Sequence, residues 1–144
     1  MAEQDTVRLL RECDSGIRMG VSSINDVIKY VKDEELKAIL EGSRTEHESL
    51  GSDMENLLNE FHDNGKAPNG IAKGMSWLKT NMKLTFNESD ATVADLITDG
   101  CNMGVKSLSK YLNQYENADD KAKKLAKRLI NEEAALGERM RTYL

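Results

Sequence analysis

Two ionisable side chains stand where a helical repeat calls for apolar ones. Leu36, Leu40, Ser43, His47, Leu50, Met54, Leu57 and Phe61 recur at alternating spacings of four and three, the seam of a helix packed into a left-handed bundle. His47 falls in the middle of that seam. Glu133 falls likewise among Leu125, Leu129, Leu136, Met140 and Leu144. A buried imidazole or carboxylate needs a partner, because an unpaired charge in an apolar core is costly. Paired with each other, the two could simply fix the register of their helices. They could also form a small-ligand or metal site.

Soft side chains fall near the same layer: Met19, Met103 and Cys13, with Met54 about two turns away. Copper(I) favours such groups, although methionines at helical spacing more commonly fill gaps in a core. His62 lies near a helix end and reads as an exposed side chain or a cap partner. Trp77, the one tryptophan, reads as a cover for the core or an anchor for a partner. The chain has no Gly-rich phosphate loop, nucleophile elbow or zinc-ligand pattern. No catalytic residue is assigned.

The composition sets what must position these groups. The 144 residues suit one domain, residues 1–144, with one core. A hydrophobic share of 39% against 31% charged residues suits helices with one buried face. One proline and 5% aromatic residues favour long helices over strands. A net charge of −5 argues against nucleic-acid binding. The basic run Lys121, Lys123, Lys124, Lys127 and Arg128 reads as a solvated helix face. No segment has the roughly 20 apolar residues of a membrane span, and the N-terminus lacks a signal core. The expected location is the cytoplasm, where Cys13 and Cys101 would be buried thiols.

Four long helices follow from the apolar spacing. The first carries Leu10, Cys13, Ile17, Val21, Ile24, Ile28 and Val31, with Asp5 or Thr6 as its cap. Asp33 caps the second. Asp63-Asn64-Gly65 ends it, and Pro68-Asn69-Gly70 follows. A short helix over about 71–84 lies in the crossover, 63–88. Asn87 to Asp90 recaps the chain for a third helix with Val93, Ile97, Gly100, Gly104, Leu108, Tyr111 and Tyr115. Asn117 is the expected cap of the fourth.

The two halves repeat. Gly16, Met19, Gly20, Val21 and Ser23 match Gly100, Met103, Gly104, Val105 and Ser107, each 84 residues later. Glu46, Leu50, Gly51, Met54 and Leu58 match Glu132, Leu136, Gly137, Met140 and Leu144, each 86 residues later. The hairpins are therefore about 5–62 and 89–144. The crossover is too long for antiparallel neighbours, so the third helix should lie parallel to the second, the hairpins related by a two-fold axis. Counting from the turns places His47 opposite Met19 and Gly20, and Glu133 near Met103 and Gly104. The glycines could leave space there, but close helix contact is the reading preferred from spacing.

Two antiparallel hairpins joined by a long crossover, with Gly74-Met75-Ser76-Trp77-Leu78-Lys79-Thr80 and Ala94-Asp95-Leu96-Ile97-Thr98-Asp99-Gly100-Cys101, resemble the ferritin-like superfamily. The likeness is greatest to its small bacterial members of no assigned function. It implies an all-α, ferritin-like four-helix bundle. Di-iron members use a Glu from each of two helices and Glu-x-x-His from each of the others. Here Arg44 precedes His47 by three residues, Glu132 and Glu133 have no histidine after them, and glycines occupy the middles of the first and third helices. No family ligand carries over.

These readings lead to an expectation of a non-catalytic bundle acting through protein contacts, as a homo-oligomer. The alternative is a metal- or small-ligand-binding or redox protein with His47, Glu133, Met19, Met103 and Cys13 around its site. No cofactor is expected, although His47 and Glu133 could hold a single metal ion.

Overall fold

The computed structural model describes residues 2–61 and 88–144. They form four long helices: α1 (Ala2–Val27), α2 (Glu34–Glu60), α3 (Asp90–Gln114) and α4 (Asp120–Met140), with 3₁₀ turns at Ile28–Tyr30 and Arg141–Tyr143. There is no strand among the described residues. His62, Trp77 and the expected crossover helix at 71–84 lie outside them.

Three helix starts are capped by side-chain oxygens, which accept from backbone N–H groups that the first turn leaves unpaired. The Asp33 carboxylate accepts from Leu36 N at 2.9 Å. Ser89 Oγ accepts from Thr92 N at 3.1 Å. Asp119, rather than the expected Asn117, caps α4 by accepting from Lys121 N at 3.0 Å. Asp5 and Thr6 do not cap α1, which already runs from Ala2.

Asp5 and Thr6 tie the two hairpins together instead. Asn117 N donates to Asp5 Oδ2 at 3.1 Å, and Asp119 N donates to Thr6 Oγ1 at 2.7 Å. At the opposite end Lys32 N and Asp33 N donate to the two oxygens of Asp90, at 2.8 and 3.1 Å. Each hairpin turn is thus held by the first turn of the other hairpin. These ties fix the directions: α2 and α3 both start at the Asp33–Asp90 end and run parallel. α1 and α4 run the other way. Thr6 and Asp90 are 84 residues apart and Asp33 and Asp119 are 86 apart, the same offsets as in the sequence blocks.

The apolar faces meet in two clusters. Leu9, Leu10, Ile17, Leu50, Met54 and Leu129 belong to the one near the α3–α4 turn. Ile24, Leu36, Leu40, Leu96, Ile97 and Met140 belong to the one near the α1–α2 turn. Each fully buried leucine contributes roughly 1.5–3 kcal/mol by leaving water. Leu144, expected on the α4 seam, is 60% exposed because the chain has left the α-helix by then. Between the clusters lies a polar waist.

Candidate functional site

The waist is built around His47, which is 1% exposed, and Glu133, which is 8% exposed. The Ser43 carbonyl, one turn earlier on α2, lies 2.8 Å from His47 Nδ1. A carbonyl only accepts, so Nδ1 carries a hydrogen and donates it. That orients the ring and turns Nε2 across to α4, where it is hydrogen-bonded to Glu133 Oε1. Burial works against a charged imidazole. The hydrogen bond and charge of Glu133, with the Ser43 carbonyl, outweigh it and hold the His47 pKa above its ordinary value. With Nδ1–H donating to the Ser43 carbonyl and one proton between Nε2 and Oε1, the pair carries no net charge.

Two glycines make the pair fit. A Cβ at Gly20 would lie 3.0 Å from His47 Cδ2 and 3.1 Å from Nε2. A Cβ at Gly104 would lie 3.1 Å from Glu133 Oε2. The atoms nearest both positions are side-chain atoms of the pair, not the backbone of a crossing helix. This corrects the close-contact reading: the glycines accommodate an imidazole and a carboxylate.

Beside the pair a cleft of about 180 Å³ opens between α1 and α3. His47 and Glu133 form its floor. Met19 and Met103 line its walls with Ile24, Ile97 and Leu108. Met103 is 47% exposed at this lining. Ser23 lines the cleft too, 6% exposed, and its hydroxyl has no hydrogen-bond partner. Glu12 and Tyr111 also line it. The charge of Glu12, followed by burial, raises the pKa of the Tyr111 phenol.

Of the five residues expected at the site, four come together here and Cys13 does not. It is fully buried in the apolar cluster that contains Met54, near the α3–α4 turn. Burial, then the charges of Glu12 and Asp14, push its thiol up to about 12. Cys101, expected only as a buried thiol, lines the cleft instead. Burial raises its pKa, and so do the charge of Glu133 and a hydrogen bond to it. Both cysteines are neutral thiols at neutral pH and poor nucleophiles. Helical spacing alone could not choose between them, because each lies on an apolar face.

Asp14 is a second buried acid that the spacing did not single out. It is 2% exposed, and its Oδ2 lies 3.2 Å from Arg18 Nη2. Burial raises its pKa and Arg18 opposes that. Among the described residues no three or more His, Cys, Asp or Glu side chains are grouped to hold a metal ion. His47 and Glu133 are bonded to each other and could serve a metal only by parting. No described helix is long and apolar enough to cross a membrane. No family model, curated protein or solved structure matches the chain.

Proposed function

We propose that the chain is a non-catalytic, ferritin-like bundle of two duplicated hairpins that binds a small organic ligand at its waist. The observation that carries this is the cleft of about 180 Å³ opening onto a buried His–Glu pair. An enclosed apolar cavity of roughly 150 Å³ is enough to hold benzene, and this cleft is open along one side, so a longer chain can also lie in it. Apolar walls with a few placed polar groups are the usual make-up of such sites. The parallel α2 and α3 and the equivalent cross-ties at Asp90 and Thr6 support the duplicated, ferritin-like reading. A metal centre is the weaker alternative, since it would have to part His47 from Glu133 and find further donors.

Action through protein contacts has less to rest on. Met103 and Leu144 are the exposed large apolar side chains among the described residues, short of the contiguous patch an interface needs.

The test is a methionine-methyl NMR spectrum recorded with mixtures of small neutral, cationic and anionic organic fragments. Binding at the waist moves Met19 and Met103 and leaves Met54 and Met140, which sit in the apolar clusters. A fragment set that moves neither Met19 nor Met103 would remove the proposal.

A further inference from the structure

The chemistry of the cleft narrows what it can hold, and this step rests on the ligand-binding reading above. Its charged lining is Glu12, Glu133 and His47, and no described lysine or arginine faces it. Glu133 is neutralised by His47. Glu12 is different: no described cation lies within ion-pair distance of it. Among the described residues no cation offsets that charge, and the Tyr111 phenol is hydrogen-bonded beside it. A cation placed there would gain from the carboxylate and from the ring face.

The other end of the cleft has a different need. Ser23 lies eleven residues further along α1, about 16 Å at helical rise. Its hydroxyl is buried without a partner, which is rare in folded proteins. Between the two ends lie Met19, Met103 and Leu108, and methionine adapts readily to flexible apolar chains.

We infer that the cleft binds an elongated organic amine, its ammonium at Glu12 and Tyr111, its apolar chain along the methionines, and a hydrogen-bonding end at Ser23. An anion would meet two carboxylates and one already paired imidazolium. A metal ion would lack a grouped donor set among the described residues.

Aminohexanol, aminooctanol and aminodecanol, with amine and hydroxyl at opposite ends, are the probes. The diols and hydroxycarboxylates of matching length are the comparisons. Each is titrated into protein with labelled methionine methyls, and Kd is read from Met19 and Met103. At one length the amino alcohol should bind about tenfold tighter than the diol or the hydroxycarboxylate, as one charge-assisted hydrogen bond allows. Glu12→Gln should erase that preference and leave the diol unchanged. Ser23→Ala should weaken the amino alcohol severalfold and leave the plain alkylamine of equal length unchanged. A diol or hydroxycarboxylate that binds as tightly as the amino alcohol overturns the amine while leaving the cleft as a binding site. If none of these probes moves either methionine, the amine is also overturned, and the broader fragment set decides the cleft by itself.

Discussion

Gly20→Ala sets two effects of known size against each other. Alanine in a helix interior is favoured over glycine by about 0.8–1 kcal/mol. At Gly42, on the exposed side of α2, a Cβ would meet nothing within 4 Å. Gly42→Ala should therefore stabilise by about 1 kcal/mol. At Gly20 the same methyl would arrive 3.0 Å from His47 Cδ2 and 3.1 Å from Nε2, inside the roughly 3.5–4.0 Å of an unstrained carbon contact. The ring cannot swing aside freely, because Nδ1 is held by the Ser43 carbonyl and Nε2 by Glu133. Overpacking typically costs about 1–3 kcal/mol, and parting a buried pair about 3–5 kcal/mol. Against the helix-propensity gain, Gly20→Ala should be net destabilising by about 0–2 kcal/mol if the ring only shifts and by about 2–4 kcal/mol if the pair parts. Urea denaturation near pH 6 reads both variants against the parent, with the m-value checked for constancy. If Gly20→Ala stabilises the protein as much as Gly42→Ala does, the ring is not seated against Gly20 and the waist is misdescribed.

Other outcomes follow from the same geometry. His47→Leu strands a buried carboxylate and should cost about 3–5 kcal/mol, whereas His47→Leu with Glu133→Leu should be near neutral or better; similar losses in both variants would count against a buried pair. The folded-state pKa of His47 is raised above its unfolded value near 6.5. Its stabilisation is therefore fully present below that pH and is lost as pH rises through the folded pKa, with a slope of at most about 1.4 kcal/mol per pH unit. Denaturant midpoints that stay flat or rise across that window would contradict this. Ser23→Ala removes a buried hydroxyl that has no partner and should stabilise the ligand-free protein by about 1 kcal/mol; a clear loss in a thermal melt would mean the hydroxyl is satisfied.

The four helices and the pairing of His47 with Glu133 were readable in the sequence, because burial repeats along a helix with a fixed period. Counting from the hairpin turns placed Gly20 and Gly104 correctly beside the pair. What spacing could not convey was the purpose of those glycines. A gap of four between small residues suits a close helix crossing and a recess for a bulky neighbour equally well. Only the side chain across the bundle decides which. The same limit explains the exchange of Cys13 for Cys101, since period alone does not say which apolar layer a thiol enters. Asp5 and Thr6 look like caps from their residue types, yet the helix starts before them and their oxygens serve the other hairpin's turn. The cleft and the unpartnered Ser23 hydroxyl depend on how far α1 stands from α3, a distance that no local pattern encodes.

The most direct test of the central claim is a nitrogen-resolved NMR titration of the His47 imidazole, with the signal separated from that of His62 by substitution of His62. Both ring nitrogens should still carry hydrogens at pH 6.5, and the ring should titrate above that value. A ring that is already neutral at pH 6.5, with one bare nitrogen and a pKa below that value, would contradict the proton-sharing His47–Glu133 pair on which the waist is built.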